Sequence, residues 1–338
     1  MFDITAIGGA TQDLFIKANL ESVKGKKWPQ GEAYLLPAGA KLPIEEAILA
    51  TGGNALNAAV TLARQGLKTA LAAAVGNDGA GREITEMLKR EKIRSFLKED
   101  EDNMTARAVI FSQAGERTIL NYSGANDHFS LSEKDFSKLA SRWWYVSLGG
   151  RSAALFPKIV DWAQRHNIAL AFNPAGYHLR ARRAEIMRFL PAIDVLVLNQ
   201  EEAAFLTGIS FRRPEEVFKK LDKKMPGILA ITDGRNGAVI SDNRFIYEAG
   251  IFANKKIVDR TGAGDAFASG LVAGLLRQRI GKNELANIMP EKVKEALRLA
   301  MANAAAKVEK IGANNGVLTK REFSFPRWQS LMVKVRKA

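Results

Sequence analysis

Ile257-Val258-Asp259-Arg260-Thr261-Gly262-Ala263-Gly264-Asp265-Ala266-Phe267 is the stretch around which the rest of the chain can be read. Ile257 and Val258 read as the end of an apolar strand. Gly262-Ala263-Gly264 reads as a turn, and the small residues through Leu276 as a helix. Glycines ahead of a helix let the backbone approach a ligand, and the first helical N–H groups point outward without intrahelical partners. Such a start holds an anion. Asp265 then places a carboxylate beside that anion, which is unfavourable unless the carboxylate has a task. On the residues alone two readings stay open. Asp265 takes a proton from a hydroxyl that attacks a phosphoryl group while the amides steady the developing charge, or it caps the helix after a tight turn.

Outward from this segment, short apolar runs alternate with helical patterns. Asp3–Gly8, Thr69–Val75, Trp143–Leu148, Ile168–Phe172, Val195–Leu198 and Ile228–Thr232 read as strands. Asn54–Arg64, Gly81–Glu91, Ala153–Arg165, Ala181–Leu190 and Glu201–Leu206 read as helices, the first with Leu56, Ala59 or Val60, and Ala63 on one face. Repeated strand–helix–strand order predicts an α/β fold with a mostly parallel sheet between two layers of helices. Two regions break the alternation. Leu14–Leu42 is long and rich in Gly and Pro, and Thr105–Phe111 with Thr118–Tyr122 reads as a hairpin around Gln113-Ala114-Gly115-Glu116. Together, residues 14–42 and 105–122 are expected to form a small β-lid over the strand ends of one domain spanning residues 1–338. Trp328, Leu331, Met332 and Val335 have helical spacing, so the tail after Pro326 is expected to be an amphipathic helix.

Composition narrows the function. The chain has 338 residues, 47% hydrophobic and 25% charged, enough for a large core. The longest uncharged apolar stretch, Ala266–Leu276, is far short of the roughly 20 residues of a membrane span. No secretory leader is visible in Met1-Phe2-Asp3-Ile4-Thr5, and the absence of cysteine excludes disulfides, thiolate metal sites and cysteine nucleophiles. A cytoplasmic protein that does not engage membranes is expected. The net charge of +14 favours anionic partners. It is spread over Lys24-Lys26-Lys27, Arg180-Arg182-Arg183, Lys219-Lys220-Lys223-Lys224 and Lys334-Arg336-Lys337. No zinc-finger, helix-turn-helix or RNA-binding aromatic signature accompanies it, so nucleic acid is not the expected partner.

Asp259-Arg260-Thr261-Gly262-Ala263-Gly264-Asp265 resembles the signature of the ribokinase, or PfkB, family of carbohydrate kinases, which includes adenosine kinase. A second signature of that family lies at Gly52-Gly53-Asn54-Ala55-Leu56-Asn57-Ala58-Ala59. Further matches follow in order at Gly76-Asn77-Asp78-Gly79, Asn199-Gln200-Glu201-Glu202, Ile231-Thr232-Asp233-Gly234-Arg235-Asn236-Gly237 and Ala302-Asn303-Ala304-Ala305. The resemblance covers about residues 3–318. It implies a ribokinase-like three-layer sandwich and ATP-dependent phosphorylation of an alcohol on a sugar or nucleoside. Asp265 is implied as the base, with Gly262, Ala263 and Gly264 as the anion hole. Asp13, Gly52, Gly53 and Asn57 match positions that hold the acceptor, and a carboxylate with a carboxamide suits vicinal hydroxyls. Asn199 and Glu202 match the motif that organises magnesium (Mg2+) and phosphates, mostly through water. Thr232, Gly234 and Gly237 match the nucleotide-binding turn, and Asn303 an adenine-side position. Asp259 matches a residue that helps bind potassium (K+), although the other ligands of that site are not traceable. A homodimer through the lid is a further expectation of the resemblance.

Departures and competing readings bear on the acceptor. Gly149-Gly150 stand where ribokinase has a glutamate after the Trp143–Leu148 strand. Arg260 stands where a small hydroxyl residue is common, and Arg107 lies one position from an arginine that some members use on sugar phosphates. Phe15, Trp28 and Tyr34 are candidates either to stack on a nucleoside base or to pack the lid. A dehydrogenase would need G-x-G-x-x-G after Gly8-Gly9, and a P-loop enzyme a Gly-Lys pair followed by Ser or Thr; neither is present. His128, His166 and His178 are scattered rather than grouped as metal ligands. A basic nucleic-acid-associated protein on a kinase scaffold is the alternative from another class.

Overall fold

The computed structural model describes residues 1–25, 32–113, 116–253 and 256–338. Lys26, Lys27, Trp28, Ala114 and Gly115 fall outside them. In chain order the strands are β1 (Phe2–Gly8), β2 (Thr11–Lys17), β3 (Ser22–Lys24), β4 (Glu32–Tyr34), β5 (Glu46–Gly52), β6 (Thr69–Gly76), β7 (Arg94–Asp100) and β8 (Arg107–Gln113). They continue with β9 (Glu116–Tyr122), β10 (Ser141–Ser147), β11 (Ala169–Phe172), β12 (Val195–Asn199), β13 (Ile228–Thr232), β14 (Ala238–Ser241), β15 (Phe245–Ala249) and β16 (Val333–Lys337).

Among the described residues the large sheet runs β16-β15-β14-β13-β12-β11-β10-β1-β6-β7. Pairing is parallel from β7 to β13 and antiparallel from β13 to β16. A parallel strand covered on both faces can be apolar at every position. β10 shows this: Trp143 and Tyr145 pack into one core, Trp144 and Val146 into the other. Both indole N–H groups are satisfied, by the Ile280 and Leu139 carbonyls at 3.0 and 3.1 Å. Helices Asn54–Arg64, Ala263–Arg277 and Pro290–Lys307 cover one face. Phe156–Arg165, Gly176–Phe189, Gln200–Thr207 and Pro214–Asp222 cover the other. The sandwich is therefore the expected one.

The small sheet β5-β2-β8-β9 stands over the strand ends. It is the expected lid with a different boundary. Its second strand comes from Glu46–Gly52, beyond Leu42, whereas the earlier insertion supplies part of β2 and the separate β3–β4 ribbon. The expected strand end at Ile257-Val258 lies outside any sheet, with Val258 and Asp259 both donating N–H to the Val308 carbonyl at 2.7 and 3.2 Å. The tail also departs from expectation. Only Pro326–Gln329 is helical, and Val333–Lys337 pairs with β15, because the edge of β15 supplies backbone partners that an isolated helix end lacks.

Candidate active site

Gly262 adopts φ +77° and caps the Ala263–Arg277 helix. A Cβ there would lie 2.2 Å from the Ala313 carbonyl oxygen, so only glycine lets the two loops touch. Ala263 donates its N–H back to Arg260 at 3.2 Å. The donors that open outward at the helix start are therefore those of Gly264 and Asp265, and Ala263 contributes shape rather than an amide. Asp265 turns its carboxylate away from the helix and accepts from the Asn57 side-chain amide at 2.9 Å. This is not a capping contact. Burial pushes Asp265 up to about 6, against the Asn57 bond, and the charge of Asp13 adds to the rise.

Asp13 sits on β2 facing inward, 5% exposed, and accepts from Thr11 Oγ1 at 2.7 Å. Burial raises it to about 6 as well, with the Thr11 bond opposing. A Cβ on Gly52 would lie 2.1 Å from Asp13 Oδ2, so the carboxylate lies over bare backbone. Gly53 precedes the Asn54–Arg64 helix, and Asn57 lies on its first turn. With Asn54 they line a cavity of about 320 Å³ that reaches Gly262, Gly264 and Asp265. The acceptor-side residues expected from the sequence thus converge on the expected base.

A second cavity of about 730 Å³ begins at Gly264 and Arg260 and extends along Asn199, Thr232 and Gly234. The two share Gly264, Arg260 and Arg117. Thr232 ends β13, and Gly234 and Asn236 form the turn into β14, closed by Asp233 N–H donating to the Gly237 carbonyl at 2.8 Å. Asn199 and Glu202 form a reciprocal cap. Glu202 N–H donates to Asn199 Oδ1 at 2.8 Å, and Asn199 N–H to Glu202 Oε2 at 2.9 Å. Burial raises Glu202 to about 7 against that backbone bond, with the Asp265 charge adding to the rise. No group of three or more His, Cys, Asp or Glu side chains that could hold a metal occurs among the described residues. A hard divalent cation that keeps most of its water fits such a set better than one needing an all-protein cage.

Two sequence expectations are corrected, that of Asn303 at the adenine side and that of Asp259 as a cation ligand. Asn303 is fully buried, donating to the Ala266 carbonyl at 2.7 Å and to Thr61 Oγ1 at 3.2 Å while accepting from Leu318 N–H at 2.8 Å. It staples the helices together. Met301, Ala304 and Val308 line the second cavity instead, because they repeat at helical spacing on a face that Asn303 does not share. Asp259 is not presented to an external cation: it pairs with Lys307 at 3.3 Å. Phe15 packs in the lid core with Ala108 and Ile110, and Tyr34 donates to the Gln113 carbonyl at 3.1 Å. Arg107 meets Asp78 at 3.4 Å, outside both cavities.

Sequence reading missed Arg117 and Asn121, both on β9 and both lining the smaller cavity beside Asp13 and Asp265. Alternation carries the signal, since Asp13, Ala108 and Asn121 occupy one register row across the lid.

Residues 41–320 match the pfkB family of carbohydrate kinases. The chain is 27% identical over 303 residues to a ribokinase of Haemophilus influenzae, covering 86% of this chain and 91% of that protein. It is 30% identical over 285 residues to a probable fructokinase-7 of Arabidopsis thaliana, covering 78% and 80%. A nucleoside kinase of Methanothermobacter thermautotrophicus is 27% identical over 230 residues, covering 67% and 72%. The structure of a ribokinase from Giardia lamblia superposes with TM-score 0.76 at 21% identity, over 95% of this chain and 96% of that one. A family match reaching from the lid past the Pro290–Lys307 helix, on a fold shared over nearly the whole length, means that this chain belongs to the pfkB family of carbohydrate kinases.

Proposed function

We propose that the chain transfers the γ-phosphoryl group of ATP to an alcohol of a sugar, with Asp265 as the base. The observation that carries this reading is the meeting of the two cavities at Gly264, with the Asp265 carboxylate facing the acceptor side. ATP in the larger cavity puts its terminal phosphate at the helix start, among Arg117 and Arg260, with Arg235 further along the wall. These arginines give part of the positive charge a polyphosphate partner rather than a nucleic acid. A sugar in the smaller cavity meets Asp13, Asn54, Asn57 and Asn121 as acceptors and donors for its hydroxyls.

As the acceptor oxygen attacks the γ-phosphorus, its proton passes to Asp265 and the bond to the β–γ bridging oxygen breaks, releasing ADP. The Gly264 and Asp265 amides steady the charge on the transferring group. Magnesium, when bound, neutralises phosphate charge; Asn199 and Glu202 would hold it through water. The lid closes the site to water. A cytoplasmic setting, where ATP is supplied, suits this chemistry.

A sugar is preferred to a nucleoside because no aromatic side chain among the described residues lines the acceptor cavity. An ATP-consumption screen over ribose, fructose, 2-keto-3-deoxygluconate, adenosine, inosine and cytidine, with Asp265→Asn as control, decides between them. Turnover confined to the nucleosides would reverse the preference. The outer lid face carries the row Leu49-Leu14-Val109-Leu120, with Leu49 and Leu120 60% and 54% exposed. A second copy of this chain is the proposed cover. Leu120→Glu would then convert a dimer to a monomer in sedimentation, and an unchanged sedimentation coefficient would dismiss it.

A further inference from the structure

Lys307, the last residue of the Pro290–Lys307 helix, is an ammonium with no solvent exposure. Its Nζ donates to the Asp259 carbonyl oxygen at 2.9 Å, to the Lys310 carbonyl oxygen at 3.2 Å and to Asp259 Oδ2 at 3.3 Å. Three donors meet three oxygens, which is what a buried ammonium needs. Asp259 also accepts from Thr261 N–H at 2.8 Å on Oδ1 and from Gly312 N–H at 3.1 Å on Oδ2. The ion pair thus pins the segment that enters the anion hole to the segment that leaves the long helix. The pin lies directly behind Gly262, whose backbone touches Ala313.

The resemblance places a potassium ligand at Asp259, and the residues present do not fit a free cation there. The position already holds a single positive charge among backbone and carboxylate oxygens, close in size to potassium. A second cation would meet like charge in a buried place.

We propose that Lys307 is a tethered monovalent cation that positions the Asp259–Gly264 segment and frees phosphoryl transfer from any need for potassium. Lys307 touches neither substrate, so it is a positioning residue. The proposal rests on the kinase reading only where turnover is measured.

The test compares potassium, ammonium, lithium and choline chlorides at equal ionic strength. Wild-type turnover is expected to change by less than about twofold among them. Lys307→Ala is expected to lose about tenfold or more in kcat with choline or lithium, and to regain most of it with potassium or ammonium, which occupy the vacated place. The melting temperature gives a readout that needs no turnover. The variant should melt higher in potassium than in lithium chloride, and the wild type should melt alike in both. Activation of the wild type several-fold by potassium overturns the proposal. So does a variant whose loss and melting temperature are the same in every salt, which would make Lys307 a staple only. Should Lys307→Ala fail to fold, Lys307→Gln and the wild-type salt series decide. If no acceptor is phosphorylated at all, the acceptor assignment fails while the melting comparison still judges Lys307.

Discussion

Asn57 donates one amide hydrogen to Asp265 at 2.9 Å and accepts with its carbonyl oxygen from Asn314 at 3.3 Å. Asn314 in turn donates to the Thr51 carbonyl at 2.9 Å, next to Gly52. The Asp265 carboxylate, the proposed base, is therefore aimed by a relay of carboxamides. One carboxylate oxygen is engaged by Asn57, leaving the other to face the acceptor.

Removing the base tests its role directly. Asp265→Asn should cut kcat by about 10²- to 10⁴-fold, the usual range for a lost general base. Melting temperature and ADP binding should stay at wild-type level. Turnover within a few-fold of wild type would dismiss the assignment.

The pH profile follows from the same carboxyl. As the proposed base Asp265 would work ionised, and burial raises it to about 6, so kcat/KM should fall as pH drops through about 6. The Asn57 bond favours the ionised form, hence Asn57→Ala should move that acid limb to higher pH. A limb that stays in place would show that another group titrates.

Asp13 links function to stability. Its folded value of about 6 lies above the ordinary 3.8, so the folded chain holds more protons between those values and loses stability as pH rises through them. At neutral pH the ionised Asp13 costs up to about 3 kcal/mol. Asp13→Asn should therefore melt higher than wild type at pH 7.5, with the gap closing toward about pH 4, while acceptor KM rises about 10- to 100-fold. A variant that melts lower at neutral pH would contradict this.

Two substitutions on one helix separate packing from nucleotide binding. Asn303→Ala leaves the Leu318 N–H without its acceptor and should lower stability by about 1–3 kcal/mol with ATP KM unchanged. Ala304→Leu should raise ATP KM with stability nearly intact, because Ala304 lines the larger cavity proposed for ATP. Melting curves and ATP titrations distinguish the pair, and a raised KM in the Asn303 variant would return it to the adenine side.

The parallel strands were legible because buried runs such as Val195–Leu198 have no polar interruption, and the Asn54–Arg64 helix because its larger apolar residues recur at helical spacing. The convergence of Asp13 and Asn57 on Asp265 was legible through the neighbouring glycines, whose placement is a backbone requirement. What failed was periodicity read across a break. Trp328, Leu331, Met332 and Val335 fit a helical template, yet the chain leaves the helix after Gln329 and Val333-Lys334-Val335-Arg336 alternates as an edge strand. Asn303 failed differently, and nothing in the sequence singled out Lys307. Which face of a helix a polar side chain takes depends on its tertiary partners, here Ala266, Leu318 and the Asp259 loop.

That edge strand has a consequence for how the molecules behave in company. Among the described residues Val333–Lys337 is the edge strand at the antiparallel end of the sheet, and an open edge is a template on which a neighbouring sheet could grow. Lys334, Arg336 and Lys337 stand along that rim, with Arg336 meeting Glu248 at 3.3 Å. Two such rims approaching each other bring like charges together before any hydrogen bond can form. Some of the net charge of +14 thereby acts as insulation, keeping sheets apart in a crowded solution.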